Sequence, residues 1–320
     1  MNKTLILVLS VVLSIASVSC QRGNDRASAG PRIAFVMKTA NNPFFIDMQK
    51  GAEGAARRLG VDLIVQAAER EVDVEKQVQI IENLIQTKVA ALCVTPSGSR
   101  EIIPAIDKAN RAGIPVVIVD TRVDAKALSE AKGQVATFIG SDNYEGGKLA
   151  GEYIIKRLVG KGKVAVLEGI PGHETGDSRL NGFRDALKAA PGIEIVASQT
   201  ANWERDQGFN VFQNILQSHP DVQAVFACND LMALGAIEAI TAAKKAGQII
   251  VVGFDATDEA REAIRRGTMD ATVAQFPATM GELAVENAYR LIKGEQIKAE
   301  IPVPIKLITK ETADSTTAKE

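Results

Sequence analysis

At 320 residues with 46% hydrophobic content, the chain is long enough for two ordinary soluble domains with packed cores. A formal charge of −2 gives no electrostatic reason to expect nucleic acid or an acidic membrane surface as partner. The histidines, His173 and His219, are too few and too isolated for a metal cluster, and no metal or cofactor is expected.

Chain order begins with an export-type segment. Lys3 supplies a positive start, Leu5–Ala16 an apolar run, and Ser17-Val18-Ser19 a set of small residues before Cys20. The run is short of the roughly 20 residues that span a membrane, so a cleaved signal over residues 1–20 is expected. A cysteine after small residues resembles the lipobox of bacterial lipoproteins, in which the thiol is acylated and Cys20 becomes the new N-terminus. Ser17 departs from the aliphatic residue usual three places earlier; the alternative is an ordinary secretory signal with an incidental cysteine. Both readings put the folded part outside the cytoplasm, in the periplasm or on the cell surface. Residues 21–30 form a polar linker.

The rest alternates short apolar runs with amphipathic stretches. Arg32–Met37 has strand character. Pro43 sits at a first helical turn, and Phe45, Met48, Ala52, Ala55 and Leu59 recur at helical spacing until Gly60 ends the helix. Asp62–Val65 is the next strand. Val74, Val78, Ile81 and Ile85 mark a second helix, and Ala90–Val94 a third strand. A helix over Glu101–Ala112 stops at Gly113, and Pro115–Val119 is strand again. Phe138–Tyr144 joins this half to a second one built the same way. Its strands are expected at Lys163–Leu167, Glu194–Ala197, Ala224–Ala227 and Ile249–Phe254. Its helices are expected over Ser178–Ala189, Arg205–Gln217 and Leu231–Ala246. The alternation implies an α/β protein of two doubly wound domains, each a parallel sheet with helices on both faces. Cys93 and Cys228 fall in strand-like runs, where a small buried hydrophobe is the simple reading. A disulfide between them is the alternative.

Open α/β sheets bind ligands in the crevice beyond the carboxyl ends of their strands. In the first half those positions are Lys38–Phe45, then Thr95, then Asp120, Thr121 and Arg122. In the second half they are the Gly-rich loop Glu168–Arg179 with His173, then Asn202 and Trp203, Asn229 and Asp230, and Asp255. Aromatics are only 4% of the chain, yet Phe44, Phe45 and the sole tryptophan fall in two of these loops. Carboxylate, amide and guanidinium groups match vicinal hydroxyls, and aromatic faces suit the C–H faces of a sugar ring. Such a site rejects analogues that lack a hydroxyl, because its own buried groups would be left unpaired. A monosaccharide or polyol is therefore the leading ligand class. Simpler roles compete at some positions: Asp230 as N-cap of the following helix, Asn41 in the turn before Pro43, and Asp142 and Asn143 as caps. At Asp142, Asn143 and Asp230 the capping role is favoured.

Catalytic signatures are missing from the sequence. It contains no G-x-G-x-x-G, no phosphate-binding G-x-x-x-x-G-K-[ST], no H-E-x-x-H and no G-x-S-x-G. Asp120 and Asp255 could be cast as a glycosidase pair, but carboxylates that accept sugar hydroxyls are the less demanding explanation. No enzyme activity is expected.

With these residues in hand, the chain resembles periplasmic binding proteins of the ribose-binding type, which share their core with the lactose-repressor family. The similarity covers nearly all of 31–310. It is strongest in N-N-P-F-F at 41–45, S-D-N-Y-E-G-G-K at 141–148, H-P-D-V-Q-A-V-F-A-C-N-D at 219–230 and V-V-G-F-D at 251–255. The resemblance implies sugar contacts at Asn42, Phe44, Phe45, Asp120, Arg179, Trp203, Asn229, Asp255 and Gln275. Phe44 and Phe45 would cover one sugar face and Trp203 the other. Asp120 and Asp255 would accept from hydroxyls, while Arg179, Asn42, Asn229 and Gln275 donate or bridge.

Three positions depart from the ribose binders' pattern. Thr95 stands where an asparagine is expected, and Thr121 where an arginine should follow the strand-end aspartate, with Arg122 one place late. Trp203 replaces a phenylalanine. Threonine cannot make the bidentate bonds of arginine, so Thr95, Thr121 and Arg122 should read a different set of hydroxyls, and another pentose, a hexose or a sugar alcohol is as plausible as ribose.

The resemblance also implies two lobes, 31–141 with 276–303 and 142–275 with 304–312, and a disordered tail over 313–320. Three crossovers near Ser141–Asn143, Gln275–Pro277 and Val303–Ile305 would form a hinge that closes on the ligand. An inner-membrane ABC permease would accept the sugar from a monomeric binder, tethered to the membrane only by an N-terminal lipid. A regulator on the same core would need a helix-turn-helix ahead of residue 31, where the export signal stands. An extracytoplasmic sensor feeding a chemoreceptor or histidine kinase is the alternative.

Overall fold

The computed structural model describes residues 30–313. The signal and lipidation readings at 1–20, Cys20 included, lie outside the described residues, as does the tail beyond 313. Ala313, placed in that tail by the sequence reading, is described and buried in the core of the second lobe.

The first sheet grows from β1 (Arg32–Met37), β2 (Asp62–Ala67), β3 (Ala91–Val94), β4 (Val116–Val119) and β5 (Thr137–Gly140). Between them run α1 (Pro43–Leu59), α2 (Val74–Gln86), α3 (Ile103–Arg111) and the short α4 (Ala125–Glu130). The second set is α5 (Asn143–Arg157), β6 (Lys161–Glu168), α6 (Glu174–Leu187), β7 (Gly192–Thr200), α7 (Arg205–Ser218), β8 (Ala224–Ala227) and α8 (Asp230–Ala242). It continues with β9 (Ile250–Asp255), α9 (Asp258–Arg266) and β10 (Ala271–Ala274); α10 (Pro277–Ile292), β11 (Glu300–Pro302) and β12 (Lys306–Thr309) complete the described chain.

The strands form two six-stranded sheets, β11-β5-β4-β3-β1-β2 and β12-β10-β9-β8-β6-β7. Every neighbour pair is parallel except β12, which runs antiparallel to β10. Setting aside the returning strands, both sheets have the same 2-1-3-4-5 winding. The connections reverse direction between the first and third strands, which opens a crevice at their carboxyl ends.

Side-chain alternation explains why β1 is apolar from Ile33 onward. Ile33, Phe35 and Met37 pack under α1 and α10, while Ala34 and Val36 pack under α2 and α3. A strand buried on both faces has no solvent side to mark with polar residues. The α1 helix starts where the Asn42 side chain accepts from Phe44 N at 3.0 Å, with Pro43 at its first position. It ends at Gly60, whose φ of 68° is left-handed.

The chain passes from one sheet to the other three times: between β5 and α5, between β10 and α10, and between β11 and β12. Among the described residues, no helix is long and apolar enough to cross a membrane. Cys93 sits in β3 of the first sheet and Cys228 beyond β8 of the second; both are buried and free. The possible disulfide is thereby replaced by two small core residues, whose thiols burial pushes up, that of Cys228 to about 12.

One sequence expectation needs correction, and one stretch goes without an assignment from sequence. The segment 125–140 contains α4 and β5, which are only six and four residues long and too short to declare a period. The helix expected from Ser178 begins at Glu174, so Arg179 lies on α6 and not in the preceding Gly-rich loop. The polar opening turn E-T-G-D-S hid that start, because it carries charge in place of apolar spacing.

Candidate functional site

The carboxyl ends of both sheets face each other across a cavity of about 270 Å³. The first lobe lines it with Lys38, Asn42, Phe44, Phe45, Glu71 and Asp120, and the second with Thr175, Arg179, Trp203, Asn229, Asp255 and Gln275.

On the first side, the loop after β1 feeds directly into α1, so Asn42 is both the N-cap and a wall of the cavity. Its Nδ2 donates to Glu71 Oε1 at 3.0 Å. Phe44 and Phe45 pack edge to face with centroids 5.2 Å apart. Lys38 Nζ lies 3.0 Å from Asp120 Oδ2 and 2.7 Å from Thr121 Oγ1, and both members of the ion pair have side chains only 3% exposed. Burial raises the Glu71 carboxyl above its usual range, an effect opposed by the Lys38 charge and the Asn42 amide.

On the second side, Arg179 is the centre of the network. Its Nε donates to Asn143 Oδ1 at 2.9 Å and its Nη1 to the Cys228 carbonyl at 2.6 Å. The guanidinium lies 3.7 Å from the Phe254 ring centroid and 5.6 Å from that of Trp203. Arg179 Nη1 is 3.8 Å from Asp255 Oδ1, which accepts from Gln275 Nε2 at 2.8 Å. Burial pushes the Asp255 carboxyl well up, with Arg179 pulling the other way. Asn229 caps α8 by accepting from Met232 N at 2.9 Å and donates to the Trp203 carbonyl at 3.0 Å.

Backbone strain gathers at the same place. Asp120, Asn202, Trp203, Asp255 and Ala256 all have positive φ, between 50° and 113°. Non-glycine residues adopt this region at a cost of about 1–3 kcal/mol each, and the surrounding fold must hold them there. Here the strain turns the side chains at the ends of β4, β7 and β9 into the cleft.

Nine of the residues picked out by sequence come together on the cavity: Asn42, Phe44, Phe45, Asp120, Arg179, Trp203, Asn229, Asp255 and Gln275. Three others do not line it. Thr95 is fully buried behind β1, where its Oγ1 accepts from Lys38 N at 3.0 Å. Thr121 is fully buried, with its hydroxyl committed to Lys38, Asp120 and Thr175. Arg122 turns to the sheet edge, pairs with Glu300 and lies 3.8 Å over the Phe138 ring. A one-residue step along the chain sends it to the other side of the backbone.

Lys38, Glu71 and Thr175 line the cavity without having been chosen. Lys38 was visible as a strand-end residue. Glu71 follows β2, and an inspection of that strand's end would have found it. The favoured capping role holds for Asp142, which accepts from Glu145 N at 2.9 Å. Asp230 is not the cap of α8: Asn229 is, and the buried Asp230 carboxylate accepts from Thr257 and Thr272. Asn143 has a use beyond the helix start, since its carbonyl oxygen orients Arg179.

A profile of the family described as "Periplasmic binding protein domain" matches residues 33–296. The chain belongs to this periplasmic binding protein family. It is 40% identical over 311 residues to the ribose import binding protein of Escherichia coli, covering 97% of this chain and 99% of that one. It is 37% identical over 285 residues to the D-ribose/D-allose-binding protein of Pseudomonas aeruginosa, with 87% and 89% covered. Among solved structures, an ABC transporter periplasmic solute-binding protein from Actinobacillus succinogenes with bound D-allose superposes with a TM-score of 0.84. It is 40% identical, with 89% of this chain and 100% of that one covered. A solute-binding protein from Bacillus halodurans with bound myo-inositol gives 0.82 at 30% identity, with 90% and 97% covered. These relatives are binding proteins of import systems, and the periplasm is the compartment the family implies.

Proposed function

We propose that this periplasmic binding protein captures one neutral monosaccharide or sugar alcohol in the cavity between its lobes and delivers it unchanged to an inner-membrane ABC permease. The observation that carries this reading is the lining itself: amides, carboxylates and cations from both lobes converge with three aromatic rings on about 270 Å³. Lys38 and Arg179 face Glu71, Asp120 and Asp255, so the lining offers no surplus positive charge for a sugar acid or phosphate.

In this reading the lobes comprise 31–141 with 276–303 and 142–275 with 304–312, and the three crossovers act as the hinge. A ligand touching both lobes binds the closed form better than the open one, and that difference in affinity drives closure. The N-terminal segment would export the chain and Cys20 would anchor it through lipid; the protein would act as a monomer.

Calorimetric titration with D-ribose, D-allose and myo-inositol tests the proposal. Saturable binding of at least one, with no turnover, is the expected result. A correctly folded chain that binds no pentose, hexose or polyol would overturn it.

A further inference from the structure

Three hydrogen bonds join the lobes directly through the first turn of α6. His173 Nε2 donates to the Ser97 carbonyl, Glu174 N donates to Ser99 Oγ at 3.2 Å, and Thr175 Oγ1 lies 2.7 Å from Thr121 Oγ1. Ser97, Ser99 and Thr121 belong to the loops after β3 and β4 of the first lobe, whereas residues 173–175 open α6 of the second. The side chains of Ser97, Ser99, Thr121, His173 and Thr175 are all at most 5% exposed. Residues on opposite walls of a cleft reach that state only when the walls meet. The same helix carries Arg179 about one and a half turns later, so whatever seats its first turn also places that guanidinium over the cavity.

The contact needs a proton on Nε2, which the neutral tautomer and the imidazolium both carry, so acid opposes it only through burial and through Nδ1. The partner is a carbonyl, so Nε2 bears the proton, and Nδ1 is buried without a hydrogen-bond partner. A second proton on Nδ1 would have no acceptor. The ring is faced by Lys38 from the loop after β1, which opposes a positive charge. The bond to the Ser97 carbonyl, Asp120 at the end of β4 and Glu101 in the β3–α3 loop favour one. Glu174 and Asp177 stand on its own helix. Burial outweighs these and lowers the imidazole to about 4.

We propose that His173 is a positioning residue: as a neutral imidazole it latches α6 to the Ser97–Ser99 loop of the other lobe, favours closure without ligand, and lets acid loosen the cleft. The effect on sugar affinity rests on the capture reading above, while the latch is a property of the ligand-free chain. In the open form the ring is solvated and titrates near its ordinary value of about 6.5. Closure is therefore fully supported above that pH and loses support as pH falls toward about 4. Glu71 and Asp255 act with the opposite sign, because burial raises both carboxyls and acid then favours the closed form.

The test compares the wild type with His173→Gln, whose amide stays neutral and can still donate to the Ser97 carbonyl. Small-angle scattering of the ligand-free chain at pH 7.5 and 5.0 gives the radius, and titration with D-ribose and D-allose gives affinity. The wild type should expand at pH 5.0 and lose up to about thirty-fold in affinity, whereas the variant, left with Glu71 and Asp255 favouring closure in acid, should not expand. Ser99→Ala removes the acceptor for Glu174 N without removing a titrating group, and should expand the chain at both pH values. A wild-type radius that ignores pH, or an equal expansion in His173→Gln, overturns the latch. A wild type that expands in acid but binds no sugar at pH 7.5 keeps the latch and overturns the capture reading instead.

Discussion

The two walls of the cleft use the same fold and the same kinds of residue, yet they hold their charges differently. The first lobe stores its cation and carboxylate as a compact pair, Lys38 with Asp120, which both hydrogen-bond Thr121, while the Phe45 ring lies 5.5 Å from Lys38 Nζ. The second lobe ties Arg179 to two further groups, Asn143 and the Cys228 carbonyl, and holds Asp255 at a longer 3.8 Å with Gln275 behind it. Cores differ as well. One continuous cluster supports the second wall, whereas the sheet divides the first lobe's core into two. A self-contained pair can be exchanged as a unit; a networked cation cannot.

The largest effect should follow Arg179→Ala. It leaves Asp255 without its nearest cation and strips Asn143 and the Cys228 carbonyl of a donor, all in a buried setting. Breaking a buried ion pair by removing one member costs about 3–5 kcal/mol. Urea unfolding should show a loss of that order, and sugar-induced stabilisation should vanish. Asp120→Ala should resemble it in stability, because Lys38 is then buried and unpaired. The paired exchange Lys38→Met with Asp120→Asn separates the walls. It removes both charges at similar volume, keeps a residue that tolerates the left-handed backbone at 120, and should recover most of that loss while sugar binding stays lost. A double variant as unstable as Asp120→Ala would show that the first wall is networked too.

Next in size is Gly169→Ala. A methyl group there would sit 2.0 Å from the Trp203 ring, which must shift. Overpacking of this kind costs about 1–3 kcal/mol. Trp203 is the sole tryptophan, so its emission should change even without ligand, and sugar affinity should fall. A similar cost is expected for Asn143→Ala, which leaves Arg179 Nε without its acceptor at about 1–3 kcal/mol.

The pH dependence of stability should also differ between the walls. Burial raises the Asp230 carboxyl of the second lobe to about 6, against hydrogen bonds from Thr272 and Thr257 that lower it. Its unfolded value lies near 3.9. The folded chain therefore binds the proton more tightly, and this contribution to stability is full below about 3.9 and lost as pH rises through about 6. Melting from pH 7.5 down to 5.5 should reveal a gain that Asp230→Ala abolishes.

Much of this molecule could be seen in its sequence, and the gaps have physical causes. Apolar runs such as Arg32–Met37 and Ala224–Ala227 gave their strands away because burial on both faces leaves no polar residue to blur them. The shortest elements, such as β5 and β11, carry too few residues to show any period. Strand-end logic assembled the cavity because the winding forces those loops together, and it missed Glu71 only where the end of β2 was passed over. Side-chain direction was not legible. Thr121 and Arg122 sit beside Asp120 in sequence, but the left-handed turn at Asp120 (φ 66°) sends them elsewhere.

Arg122 offers the smallest and sharpest contrast with Arg179. Both are arginines that the sequence reading assigned to sugar contact, Arg122 after a strand and Arg179, on α6, through the resemblance. The structure pairs Arg122 with Glu300 at side-chain exposures of 40% and 55% and stacks it on Phe138, and Arg122 does not line the cavity. An exposed pair of this kind contributes less than about 1 kcal/mol, because water screens it and two long side chains must be ordered to form it. Arg122→Ala should therefore leave sugar affinity within twofold of wild type and barely move the melting temperature. The stacked guanidinium should account for what little changes, and raising the salt concentration should erase most of the ion-pair part. A tenfold loss of affinity in this variant would mean that Arg122 swings into the cleft when sugar is bound, and the first wall would then hold a second working cation.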